Sequence, residues 1–165
     1  MRILIIAVPR SGSTSLLNKI AKEKNLKPLF EPFDGTNRVI YNGEDNVVVK
    51  TIVSHHNDNL NLSKQFDEVI LLSRKNVLEC VESHAYHTYF SKKNRYDSNT
   101  PYLYEEMPLD IFKLCYSDIL KWNSELKQIS TIKNVPITYY EDIFDHNSEE
   151  RLRKGDKIKN TNKLL

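Results

Sequence analysis

The chain has 165 residues, 39% of them apolar and 28% charged, which suits one globular domain with a real core and excludes a disordered segment. A net charge of +2 is too small to argue for a nucleic-acid partner, and the opening apolar run RILIIAV is far shorter than the ~20 residues of a membrane span. Two cysteines, Cys80 and Cys115, make neither a disulfide framework nor a metal motif, which fits a reducing compartment.

Residues 2–8, RILIIAV, read as a strand buried on both faces. Ser13 to Lys24 reads as a helix with Leu16, Leu17, Ile20 and Ala21 on one face. LKPLFEPF, 26–33, is a short extended segment punctuated by prolines. The β-branched run 46–53, NVVVKTIV, is a strand, and 60–66 a short helix. EVILLS, 68–73, is another buried strand, followed by a helix from Asn76 to about Phe90. Residues 91–108 are polar, tyrosine-rich and hold Pro101 and Pro108, as in a loop or lid. A long helix follows over 109–130, with Ile111, Leu114, Cys115, Ile119, Trp122 and Leu126 at helical spacing and Trp122 in the core. PITYY, 136–140, is the last strand. The tail from about 146 is charged and polar, with partial disorder expected at its end. MRILIIAVPR lacks the small-residue cleavage site of a secretory leader. Taken together these features lead to the expectation of one domain over 1–165, soluble and cytoplasmic, with no membrane and no nucleic-acid partner; nothing fixes an oligomeric state.

Strands alternating with helices predict an α/β fold, three layers with a central parallel sheet. Ligands of such sheets sit at the carboxyl ends of the strands. The stretch AVPRSGSTSLL, 7–17, falls there, between the first strand and the first helix. A nucleoside-triphosphate loop reads G-x-x-x-x-G-K-[ST]. Here Ala7 stands for the first glycine and Ser13 for the lysine. The backbone N–H groups of Ser11, Gly12, Ser13 and Thr14 and the helix dipole still favour an anion. The hydroxyls of Ser11, Ser13, Thr14 and Ser15 add donors. Arg10 is the one fixed cation of the loop, ahead of Gly12. The competing view is an ordinary strand-turn-helix. A magnesium carboxylate is expected at the end of another buried strand, but EVILLS ends in Ser73 and Arg74, with Asp67 and Glu68 at its other end.

VPRSGSTSL resembles the 5′-phosphosulfate loop of the sulfotransferases that use 3′-phosphoadenosine 5′-phosphosulfate (PAPS). Pro9, Arg10, Ser11, Gly12, Ser13 and Thr14 follow its pattern one by one. VILLSRKNVLECVES is similar to the family's second motif, which grips the 3′-phosphate, here with Arg74 and Ser83. The spacing is that of bacterial carbohydrate sulfotransferases; a second register pairs Lys75 with Ser83. ITYYEDIF resembles the family's later YED strand, a structural element. LRKGDK, with Arg153, Lys154 and Gly155, resembles the arginine-lysine-glycine loop that covers the nucleotide. The resemblance implies a P-loop NTPase-like fold and a PAPS co-substrate, released as adenosine 3′,5′-bisphosphate. It implies no metal, and a carbohydrate or other small-molecule acceptor.

Sulfuryl transfer is an in-line displacement whose catalysis is positioning and electrostatic stabilisation. The resemblance implies that Arg10, the loop amides and the hydroxyls of Ser13 and Thr14 stabilise the leaving phosphate. An acceptor hydroxyl also needs a base. Glu31, in an E-P-F segment, ranks first. His55 ranks second, because Ile52 stands where a K-T-H segment would carry its histidine after Lys50 and Thr51. Lys50 is a candidate to face the sulfonate. His84 and His87, with Tyr86, Tyr89 and Phe90, form either an acceptor wall or helix packing. Two other classes stay open: a P-loop kinase of small metabolites, and a non-catalytic nucleotide-binding module.

Overall fold

The computed structural model describes residues 1–33, 41–55, 58–91 and 108–144. Five strands form one sheet: β1 (Arg2–Ala7), β2 (Lys27–Phe30), β3 (Val47–Ile52), β4 (Glu68–Ser73) and β5 (Ile137–Tyr139). Their order is β2-β3-β1-β4-β5, and every pairing is parallel. Among the described residues four α-helices lie between strands, α1 (Ser13–Lys24), α2 (Asn59–Ser63), α3 (Val77–Ser91) and α4 (Leu109–Lys133), and α5 (Tyr140–Ile143) follows β5. A 3₁₀ turn over Val53–His55 follows β3.

β1 is the middle strand, and its pleat divides the core in two. Successive side chains of a strand point to opposite faces. Ile3, Ile5 and Ala7 therefore pack with Leu16, Leu17 and Ile20 of α1. Leu4, Ile6 and Val8 pack with Cys80, Val81 and Ala85 of α3 and with Cys115, Ile119 and Leu126 of α4. A strand with helices on both sides has no polar face, which is why RILIIAV is continuously apolar.

The same alternation sorts β3. Val47 and Val49 join the α4 side, Val48 and Ile52 the α1 side. Lys50 shares the face of Val48 and Ile52, so its buried side chain runs toward α1. In β4, Leu72 turns to α1 and Leu71 to α4. Ser73, on the face of Leu71, donates from Oγ to Asn123 Oδ1 of α4 at 2.6 Å.

The predicted elements are present with adjusted ends. The extended segment at 26–33 narrows to the four residues of β2. β2 pairs only with β3, and the chain leaves it at Glu31 with a left-handed φ of 46°. The short helix expected over 60–66 ends at Ser63. The long helix runs on to Lys133 and stops at Asn134, whose φ of 53° makes a left-handed C-cap. The last strand is shorter than expected, because Tyr140 already begins α5.

Two expectations for α4 are corrected. Leu114 lies off the buried stripe and is 58% exposed. Trp122 is half-buried and packs only against the rim of the core. Both follow from a helix that covers one side of a sheet, since only about a third of its circumference meets the strands. Among the described residues no helix is long and apolar enough to cross a membrane.

This placement predicts a sharp contrast along α4. Ile119→Ala removes a fully buried side chain and should cost about 2–5 kcal/mol. Leu114→Ala should stay within about 0.5 kcal/mol of the parent protein. Urea unfolding followed by far-UV circular dichroism measures both; equal losses would mean that α4 is rotated from the orientation described.

Candidate functional site

The strand order changes direction at β1: the chain first lays β2 and β3 on one side of it, then crosses to β4 and β5 on the other. Ligands of open α/β sheets bind at such a point, beyond the carboxyl ends of the strands. The connection from β1 to α1 lies there, with Pro9, Arg10, Ser11 and Gly12 between the two elements.

Its backbone is held tightly. Ser11 N–H donates to Val8 O at 3.2 Å, and Leu16 N–H to Gly12 O at 3.2 Å. Gly12 is the N-cap of α1, in the left-handed region with φ 82°. A Cβ there would also overlap the ring of Tyr140. Glycine is required twice over, by conformation and by contact.

Among the described residues five non-glycine positions have positive φ: Arg10, Asn25, Glu31, Asn46 and Asn134. Three are asparagines, which tolerate that region. The two that do not are Arg10 (φ 64°) and Glu31 (φ 46°), both candidate catalytic residues. Strain of this kind collects where a site needs a side chain held in one direction.

Two side-chain constellations meet the loop. In the first, Lys50 Nζ donates to Thr14 Oγ1 at 2.8 Å and pairs with Glu31 Oε1 at 2.6 Å. Glu31 N–H also donates to Lys50 O at 3.0 Å. Three elements thus place one ammonium at the first turn of α1, and Lys50 is only 7% exposed. The cation missing from the loop sequence is supplied from β3. In the second constellation, Arg10 Nε donates to Ser83 Oγ at 2.9 Å. Cys80 Sγ lies 3.8 Å from Arg10 O, and burial pushes its thiol up to about 12, so it is a packing group and not a nucleophile. Among the described residues no carboxylate forms an ion pair with Arg10.

Arg74 directly follows β4. Its Nη1 pairs with Glu79 Oε2, and its guanidinium lies over the Tyr140 ring, 4.6 Å from the centroid. Its Nε is buried without a hydrogen-bond partner. Tyr140 therefore touches Gly12 on one side and Arg74 on the other. Tyr140, Glu141 and Asp142 lie on α5, not on a strand, and α5 braces the turn after β4. Glu141 accepts from Lys75 N–H at 3.0 Å and from Asn76 N–H at 3.4 Å, and Asp142 pairs with Lys75 Nζ. That bracing commits Lys75, the alternative partner for Ser83, elsewhere.

Ser11 is fully buried, and its Oγ has no partner. Ser13 is buried, Ser15 half-buried and Thr14 exposed at the mouth. His84 rests edge-on against Trp122, with ring centroids 5.2 Å apart. Burial holds both His84 and His87 below the usual histidine range, opposed at His84 by Asp118 and aided at His87 by the charge of Arg10. Neither histidine stood out in the sequence as an electrostatic neighbour of the loop. Among the described residues no three His, Cys, Asp or Glu side chains converge as a metal site. His55 ends the 3₁₀ turn, and its side chain lies outside the described residues. Arg153, Lys154 and Gly155, and the tyrosine-rich stretch up to Met107, also lie outside them.

Compared with known proteins, the chain matches no family model and no curated sequence. The site is therefore read from its own geometry.

Gly12→Ala should destabilise the fold by the left-handed cost of about 1–2 kcal/mol plus an overpacking cost of about 1–3 kcal/mol against Tyr140. In a Tyr140→Ala background only the first part should remain, which a double-mutant cycle in urea measures; equal losses in both backgrounds would place Tyr140 away from Gly12.

The histidines give a pH expectation. Their folded values lie below the ordinary 6.5, so the unfolded chain takes up protons first as pH falls. Stability should be unaffected by them above that value and decline below it. His84→Gln should flatten the decline between pH 6.5 and 5 in melting curves.

Proposed function

We propose that the chain is a sulfotransferase that moves a sulfuryl group from PAPS to an acceptor hydroxyl. The observation that carries the reading is the 2.9 Å bond from Arg10 Nε to Ser83 Oγ. It joins the two sequence motifs that resemble the family's phosphate sites, across 73 residues of chain. The P-loop NTPase-like character of the fold belongs to the same proposal, supported by a phosphate-type loop at the switch point of a parallel sheet.

The residues present suit a ligand with two anionic groups. The buried Ser11 Oγ without a partner and the N-terminus of α1, whose first turn holds no acidic residue, suit one of them. The buried Arg74 Nε without a partner and Ser83 suit the other, Arg74 turning part of its fork from Glu79 toward it. When bound, PAPS supplies the activated sulfuryl group and its own leaving phosphate.

Arg10, the amides of 11–14 and the hydroxyls of Ser13 and Thr14 stabilise negative charge where it grows. Lys50, held by Thr14 and Glu31 in the described state, adds an ammonium beside the loop. Glu31 holds that ammonium in the described state, so its work as proton acceptor requires Lys50 to shift toward the sulfonate. His55 is the second candidate base. The resemblance points to a carbohydrate acceptor, and Arg153, Lys154 and Gly155 would close over the nucleotide. No observation favours the kinase reading or the non-catalytic module over this one.

Adenosine 3′,5′-bisphosphate should fill both anion sites, and ADP only one. At a hundredfold excess over its dissociation constant a ligand stabilises by ~2.7 kcal/mol, or about 5–10 °C in Tm for a chain of this size. The bisphosphate should reach that shift at concentrations where ADP gives little. Arg74→Ala should abolish the preference, measured against the variant's own unliganded Tm. Equal shifts from both nucleotides, or a preference that survives in the variant, would sink the reading.

A further inference from the structure

We propose that Tyr140 is a positioning residue that makes the loop and Arg74 act as one site for a ligand carrying two anionic groups. This role rests on the reading of both places as anion sites. It falls to the aromatic ring of Tyr140 and not to its hydroxyl.

The ring meets both places at once. Gly12 has no side chain, and the Tyr140 ring fills the volume that a Cβ there would need. The loop backbone at that contact is held by the bonds from Ser11 N–H to Val8 O and from Leu16 N–H to Gly12 O. The same ring carries the guanidinium of Arg74, 4.6 Å from its centroid. A cation over an aromatic face is attracted by the ring quadrupole, and more strongly away from water. Arg74 is only 9% exposed.

The ring has little freedom of its own. Phe144 stacks on it, with centroids 4.6 Å apart and planes 25° apart. Its backbone is tied to the turn after β4. Glu141 accepts from the N–H groups of Lys75 and Asn76, and Asp142 pairs with Lys75 Nζ. Arg74 is the residue just before that turn. The start of α3, Arg74 and α5 are thus joined, and Tyr140 rests this block against the loop.

A ligand whose two anions are covalently joined gains from its second contact only where the protein groups already stand at a matching separation; otherwise the cost of ordering them offsets the gain. The Oγ of Ser11 and the Nε of Arg74, both buried without a hydrogen-bond partner, are one donor from each place. A single anion engages one of them, and a bisphosphate engages both. Without the ring, the hold on Arg74 that remains is the pairing of Nη1 with Glu79, which bears no relation to the loop.

Isothermal titration calorimetry of the full chain tests this role. The quantity read is the ratio of the dissociation constants of AMP, which has only the 5′-phosphate, and adenosine 3′,5′-bisphosphate. Tyr140→Leu should lower that ratio about tenfold or more, and Tyr140→Phe should keep the parent's value. Phe144→Leu, a milder change that leaves Tyr140 in place, should lower it severalfold, and it carries the test where the Tyr140→Leu chain does not fold. An unchanged ratio in the leucine variants, even with both nucleotides weakened equally, would mean that the ring serves the fold alone and would overturn the proposal. A loss in Tyr140→Phe as large as in Tyr140→Leu would move the effect to the hydroxyl and overturn it too. A parent chain that binds both nucleotides equally overturns the anion-site reading itself. A parent that prefers the bisphosphate, with leucine variants that keep the preference, overturns only the role of Tyr140.

Discussion

Everything in the structure hangs on β1 being buried on both faces. A central parallel strand has no side on which to place a polar residue, so Ile3 to Val8 are all fully buried. That burial fixes two cores at once, one against α1 and one against α3 and α4. It also fixes where the chain must emerge, at the carboxyl edge between β3 and β4. The polar residues of 9–15 are therefore delivered to the switch point by the packing of the residues before them. The site is a consequence of the core.

The same constraint explains how a lysine can sit inside a strand. Lys50 is in register with Ile5 of β1, deep in the sheet, where an unpaired ammonium would be costly. Its length lets it reach the edge along the α1 face, where Thr14 and Glu31 complete its hydrogen bonding. Glu31 adopts an unfavourable backbone conformation there, and the ion pair offsets part of that strain. Arg10 is strained in the same sense and bonded to Ser83. Arg10 and Glu31 thus both carry backbone strain at one edge of the sheet.

Tyr140 joins the halves of this edge. It fills the space left by the missing side chain of Gly12 and carries Arg74 on its ring. Glu141, the next residue, ties down the backbone after β4. A short helix at the end of β5 thereby braces both the loop and Arg74.

The sequence by itself determined the elements and the candidate loop. Apolar runs of period one or two and the helical spacing of Leu16, Leu17 and Ile20 are local signals, and they locate β1, β3, β4, α1 and α3 to within a residue or so. The phosphate-type loop was legible because its residues are contiguous. Only the tertiary structure decided what that loop meets. Thr14 finds Lys50 across 36 residues and Arg10 finds Ser83 across 73, and neither pairing is legible from spacing. Arg74, read from the sequence together with Ser83, is engaged in the fold by Glu79 and Tyr140, while Ser83 accepts from Arg10. Leu114 obeys the helical period yet is exposed, and Trp122 is only half-buried, since which part of an apolar stripe is buried depends on where the sheet lies. Periodicity is a property of the neighbouring chain; convergence depends on strand order and register, which are settled by contacts distant in sequence.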